Sequence, residues 1–403
     1  MSSTSAQMRA WRGLAILTFG FRPFFFGAAV WATLSMPLWL LMLFGMMSLP
    51  SAFDPVSWHA HEFLFGYLSA VVAGFLLTAV PNWTGRLPII GWPLGALFAL
   101  WVAGRIGVAV SANLSPLGVA FVDLAFPVTV GLVIAREIVA GKNWRNLIVL
   151  GMLAVFTLGN ALFHWEAAAS ADPAGGYGLR IGLGAGVMMI GVIGGRIVPS
   201  FTRNWLVRRG SGRLPTPPIQ RFDKAALLVL LAALFAWVLA PTHSVSGAFL
   251  LLAGTLHIIR LVRWAGYRTG SEPLVAVLHI GYGFLPLGAL AIGAEILWPG
   301  SFGSAAAQHL WMAGAVAMMT LAVMTRATLG HTGQPLTAGL ATVGIYVSAL
   351  IAVLSRLGAG LWPSEAAWLH ALAGLGWIAA FGGFSLVYGR LLLTLPADKQ
   401  RGG

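Results

Sequence analysis

Ala60–Asn82, AHEFLFGYLSAVVAGFLLTAVPN, decides the fold. Glu62 is its only acidic residue, and it holds no Lys or Arg. A helix needs about 20 mostly apolar residues to cross a bilayer, and this run has that length. It lacks the apolar–polar alternation of a strand. Working outward, eleven similar runs appear, giving twelve in all: 24–47, 60–82, 91–110, 116–140, 144–169, 176–199, 222–241, 245–265, 272–298, 303–329, 337–357 and 366–392. In lipid the backbone must satisfy its own hydrogen bonds, so such runs form helices or a closed barrel. Continuous apolarity favours helices. The expectation is an all-α, polytopic membrane protein of about twelve transmembrane helices.

Composition agrees. Of 403 residues, 58% are hydrophobic and 9% charged, where soluble domains carry about 25% charged residues. Mean hydropathy is +0.85. A chain of this length would suggest several soluble domains, and the composition excludes them. The first 23 residues hold Arg9, Arg12 and Arg22 and no small-residue exit, so no cleavable signal peptide is expected. The longest connection, 200–221, carries Arg203, Arg208, Arg209 and Arg213 and ends Pro-rich. The chain reads as a single integral membrane domain over 1–403: six helices (about 24–199), a basic inner loop (200–221) and six more (about 222–392).

Net charge is +13, from 24 Lys and Arg against 11 Asp and Glu. With the N-terminus inside, alternate loops put all but Arg105, Arg180 and Arg356 on the inner side. That split predicts an N-in, C-in orientation by the positive-inside rule. The basic excess then reads as topology and contact with anionic membrane lipids, with no nucleic-acid partner. There is no cysteine, which excludes disulfides, iron–sulfur clusters, thiolate haem and thiol nucleophiles. Any metal must be held by His, Met, carboxylate or carbonyl groups.

Runs 2, 6 and 10 echo one another. Val80-Pro81-Asn82-Trp83-Thr84 resembles Val198-Pro199-Ser200-Phe201-Thr202, and His61-x4-Gly66 resembles His309-x4-Gly314. Spaced four apart, these runs suggest three arcs of four helices; coincidence in a biased composition is the alternative.

Ionisable groups inside membranes are costly and often functional. Among nine histidines, His59 and His61 open run 2 and His164 closes run 5 on the outer side. His309 and His370 fall in the outer third of their runs, and His257 and His279 lie nearer the middle. His243 sits in an outer loop, and His331 follows the inner end of run 10. Imidazole suits haem iron and copper. His61 and His309, at matching places in the echo, are the expected axial pair of a non-covalent b-type haem. In Trp58-His59-Ala60-His61-Glu62 the two histidines point about 200° apart on a helix, while His59 and Glu62 share a face. One arrangement gives His61 to haem and His59 with Glu62 to a second metal or a proton route; the other leaves both histidines as interfacial hydrogen-bonding groups. Tyr282 shares a face with His279, and His257 with Arg260. Such a Tyr can supply a proton or electron to a metal, or simply make a hydrogen bond. Arg105 and Arg180 are the outer arginines placed to meet haem propionates.

Taken together, several motifs resemble those of the NnrS family of bacterial inner-membrane proteins. They are Phe21-Arg22-Pro23-Phe24-Phe25, Trp58-His59-Ala60-His61-Glu62, Gly74 through Gly85, Gly195 through Thr202, Leu256-His257 through Arg260, Leu278-His279-Ile280-Gly281-Tyr282, His309, and Met324 through Gly333. The resemblance spans about residues 20 to 340. It implies a haem- and copper-containing protein linked to nitric oxide and nitrosative stress. It also implies ligands drawn from His59, His61, His257, His279, His309 and His331. Two functions follow as expectations. One is redox handling of nitric oxide, fed by an electron donor, with Glu62 and Tyr282 as candidate catalytic groups. The other is transport of copper, haem or a metal–nitrosyl species, for which helices interrupted around Pro286 and Gly288 would provide a site. The design is similar to haem–copper oxidase subunit I, but runs 6 and 7 lack histidine, so a standard binuclear centre is not expected.

Overall fold

The computed structural model describes residue 11, residues 13–169 and residues 171–395. Arg9, Arg12, Lys399 and Arg401 of the charge split lie outside these. Among the described residues, twelve helices are long and apolar enough to cross a membrane: α1 (Phe21–Leu43), α2 (Pro55–Thr84), α3 (Trp92–Ala109), α4 (Pro116–Ala140), α5 (Trp144–Ala168), α6 (Tyr177–Val207), α7 (Arg221–Leu239), α8 (Ser244–Val262), α9 (Pro273–Leu297), α10 (Ser304–His331), α11 (Leu340–Leu361) and α12 (Pro363–Leu393). No strand occurs among the described residues.

Local chemistry sets the boundaries. Asp54 caps α2, accepting from the amides of Val56 and Ser57, and Pro55 fills the first helical position. Ser115–Pro116 and Glu272–Pro273 open α4 and α9 in the same way. Gly85 closes α2 with φ of 69°, in the left-handed region that glycine tolerates. The largest departure from the sequence reading is α6. It continues past Pro199 to Val207, so the basic connection is confined to 208–220. Val198, Thr202 and Leu206 recur every four residues and are buried, and that stripe carries the helix beyond the end of its apolar run.

Three helices contain π-helical turns: Glu62–Leu68 in α2, Ile190–Gly194 in α6 and Leu310–Ala317 in α10. Such turns are uncommon and cluster at functional sites. They fall in the three echoed helices. In α2 and α10 each begins directly after the matched histidine and encloses the matched glycine; in α6 it lies later than Gly184.

The chain divides into two compact units. The first is Met1–Gly182 with Ala327–Pro335 and Phe381–Gly403; the second is Leu183–Arg326 with Leu336–Ala380. In the first, α2 packs on α1, α3 and α4, and α4 packs on α5. Its core holds Phe21, Phe24, Phe25, Phe65 and Phe156. Arg22 is tied down by the carbonyls of Leu392 and Thr394, each at 2.9 Å. In the second, α7, α8 and α9 pack in succession and α9 also lies on α10, around Trp264, Tyr282 and Trp311. Within this unit α9 is continuous through Pro286. Gly288 is small because the indole of Trp311 lies against it.

Candidate metal centre

The first unit gathers six polar side chains from four helices in its interior. The Asp54 cap starts α2 early enough that His61 lies in its second turn, fully buried. The π-helical turn starts at the next residue and holds Glu62, also fully buried. His61 Nδ1 is 2.9 Å from Glu62 Oε1. His61 Nε2 is 3.0 Å from Asn160 Oδ1 and 3.2 Å from Asp123 Oδ2. Arg105, from α3, bridges the two carboxylates, donating to Glu62 Oε1 at 2.7 Å and to Asp123 Oδ1. Asp123 Oδ2 also accepts from Asn160 Nδ2 at 2.7 Å and lies 3.0 Å from His164 Nε2. Two glycines make the room. A Cβ on Gly66 would fall 2.9 Å from Glu62 Oε2 and against Arg105, and one on Gly104 would fall 2.8 Å from Asp123 Oδ1.

His61, Asp123 and His164 each offer one ligand atom, and these atoms lie within 4.8 Å of one another. All three residues are buried. Two imidazoles and a carboxylate suit divalent transition metals, copper and iron among them. The charges point the same way. With neutral imidazoles, Glu62 and Asp123 outnumber Arg105 by one negative charge. Buried charge is expensive unless compensated. Both ring nitrogens of His61 face acceptors, so a cation is called for there, either a second ring proton or a metal on Nε2. Among the described residues, Glu62 Oε2 and Arg105 Nε are buried without a hydrogen-bond partner. The cluster therefore retains unused donor and acceptor capacity beside the triad.

The remaining expected site residues lie elsewhere. His59 stacks on Trp39, ring centroids 4.0 Å apart, and packs on Phe63. Its neighbour Glu62 is engaged by His61 and Arg105 instead. Arg105, expected beside a propionate, is occupied by two protein carboxylates. Arg180 lies over the Tyr177 ring and donates to the Gly175 carbonyl. His331 is the last residue of α10, exposed, and stacked on Phe21.

The second unit holds a different network. Tyr282 pairs with His257 Nδ1 at 2.8 Å rather than with His279, and Arg260 donates to Tyr282 Oη, Asp223 Oδ1 and the Gly191 carbonyl at 2.8–2.9 Å. His257 Nε2 meets the Ala226 carbonyl at 3.3 Å. Both nitrogens of His257 are thus used, and the network reads as a satisfied ion pair. His279 Nε2 contacts Thr202 Oγ1 at 2.7 Å, and its Nδ1 is buried without a hydrogen-bond partner. His309 Nδ1 lies 2.6 Å from the Ala305 carbonyl. A carbonyl only accepts, so Nδ1 carries the proton and the basic lone pair is on Nε2, the arrangement usual for metal-binding imidazole.

Of the expected residues, His61, Glu62 and Arg105 come together. Asp123, Asn160 and His164 complete the cluster. Asn160 and His164, four apart on α5, share a helix face. Asp123 is the one charged residue in the first twenty of α4, a signal of the kind that marks intramembrane function.

The family model described as NnrS protein matches residues 15–395. A search of curated proteins finds no match.

Proposed function

The chain belongs to the NnrS family, and on that premise we propose that it is a multi-pass metalloprotein of the bacterial inner membrane that handles nitric oxide or nitrosylated metal. The observation that carries this reading is the buried convergence of His61, Asp123 and His164 beside Glu62 and Arg105. The donor set fits copper, held by the two imidazoles and the carboxylate. Copper in such a site supplies one-electron chemistry and a position where a small molecule can bind. The protein supplies the rest. Arg105 holds both carboxylates in place, Asn160 Nδ2 orients Asp123, and Glu62 Oε1 orients His61 through Nδ1. Glu62, with Oε2 unused and Oε1 on His61, is placed to hold or pass a proton.

Haem is the second group the family resemblance implies. Both nitrogens of His61 are engaged within the cluster proposed for copper. His309, with Nδ1 fixed by a carbonyl, has the donor chemistry for haem iron, and we assign haem ligation to it without His61. Transport of copper, haem or a metal–nitrosyl species is the second reading; α9 runs unbroken through Pro286 and so adds no support to it. The test is purification from metal-replete cells with copper and pyridine-haemochrome assays, followed by titration with nitric oxide under a reductant. The reading expects bound copper and catalytic loss of nitric oxide. Protein free of copper, or inert to nitric oxide when loaded, would overturn it.

A further inference from the structure

At the far end of α2, α3 and α4 from the metal cluster, the first unit carries an open cleft of about 910 Å³. Its walls are apolar: Leu87, Ile89 and Ile90 from the α2–α3 connection, Leu97 and Leu100 from α3, and Val133 from α4. Its rim is charged. Glu137 accepts from Arg86 on Oε2 and from Arg136 on Oε1. Glu137 is buried, Arg86 is partly exposed and Arg136 is largely exposed. Two guanidinium groups on one carboxylate leave the rim with a net positive charge. Arg86 uses only Nε on Glu137; among the described residues its two terminal nitrogens have no hydrogen-bond partner. They form a fork of the kind that binds phosphate oxygens.

The rim also lies at a recognisable depth. Trp92 opens α3 and is 70% exposed, and Trp144 opens α5 and is 57% exposed. The connection before α5 is tied to the end of α2, where Asn143 Nδ2 donates to the Trp83 carbonyl. Indoles gathered at one end of a bundle mark the headgroup level of the bilayer. An apolar cleft beneath a cationic rim at that level matches an amphipath with an apolar tail and an anionic head. The volume is in the range of small-molecule sites, about 300–1,000 Å³.

We propose that this cleft is a specific site for a phospholipid with a net anionic head, its phosphate on Arg86 and Arg136 and acyl carbon between α3 and α4. The site is separate from the metal cluster, so it stands or falls independently of the proposed function. Removing one interfacial guanidinium forfeits about 1 kcal/mol toward an anionic surface, which is about five-fold in affinity.

The full-length protein is reconstituted in nanodiscs of phosphatidylcholine doped with phosphatidylglycerol, and the lipid retained after transfer to detergent is measured by native mass spectrometry. Wild type is expected to retain one phosphatidylglycerol in preference to phosphatidylcholine. Arg86→Gln should weaken that preference about five-fold. Ala96→Trp, at an exposed position on the wall, should expel the lipid while preserving helicity and copper content. Equal retention of both lipids by wild type, or undiminished retention by both variants, overturns the proposal. So does an isoprenoid quinone as the tightly held molecule.

Discussion

Asp123→Asn is the most informative single change. Asp123 Oδ1 accepts from Arg105, and Oδ2 accepts from Asn160 at 2.7 Å and faces His164 at 3.0 Å and His61 at 3.2 Å. Asparagine is nearly isosteric but offers one acceptor and one amino group. Whichever way it is turned, its amino group meets a donor, either the Arg105 guanidinium or the Asn160 amide. The change also removes a charge from a pair near contact distance. At an effective dielectric of about 20, such a pair is worth roughly 5 kcal/mol before desolvation. Breaking buried pairs costs about 3–5 kcal/mol net. Arg105 keeps Glu62, so the loss should fall near the lower figure, about 3 kcal/mol. The same change removes a metal ligand. Outer-shell changes alone cost about 10–100-fold in metal affinity, so copper should bind more than about 100-fold more weakly. The assays are unfolding by SDS titration from mixed micelles and copper binding by competition with a chelator. Glu62→Gln is the companion: it leaves the three ligand residues in place and should weaken copper by only about 10–100-fold, less than Asp123→Asn, while impairing turnover of nitric oxide. Wild-type stability and copper affinity in Asp123→Asn would refute the reasoning.

Three further predictions concern neighbouring residues. His164→Ala should weaken copper binding by more than about 100-fold, so that the site fills only at excess copper, whereas His59→Ala should keep wild-type affinity and lose ring contacts with Trp39 and Phe63, about 1 kcal/mol, as metal titration and melting of both variants will show. Gly66→Ala drives a methyl into Glu62 and Arg105 and should cost about 1–3 kcal/mol with reduced copper occupancy, measured on the same preparations. In the second unit, Asp223→Asn should destabilise by about 3–5 kcal/mol through the stranded Arg260. Tyr282→Phe should cost about 1–3 kcal/mol, chiefly by leaving His257 Nδ1 unpaired, since Arg260 keeps Asp223 and the Gly191 carbonyl. Neither should change copper content, because that network lies outside the triad.

Much of the fold was legible because lipid imposes a length and an apolarity that any reader can count. All twelve spans were found, and α4 even in its bounds. The end of α6 was not, since Thr202 and Leu206 extend a buried stripe after the continuous apolar run has stopped. The echo among helices 2, 6 and 10 gained a physical counterpart in their π-helical turns, which no composition rule announces. The site was half legible. His61, Glu62 and Arg105 stood out as costly groups in apolar runs. Of their partners, His164 stands out as a histidine closing run 5, but its meeting with Asp123 and Asn160 does not, because convergence of α2, α3, α4 and α5 is a tertiary fact. Sequence proximity drew His59 toward Glu62 and Tyr282 toward His279; in space Glu62 faces α3, and Tyr282 faces α8.

The central claim is that His61, Asp123 and His164 hold one metal. Pulsed electron paramagnetic resonance of the copper(II)-loaded protein tests it most directly, by counting the imidazoles coupled to the metal. Two should be present in wild type and one each in His61→Gln and His164→Gln, with Asp123→Asn altering the copper parameters but not the count. A wild-type signal that persists unchanged in both histidine variants would contradict the account.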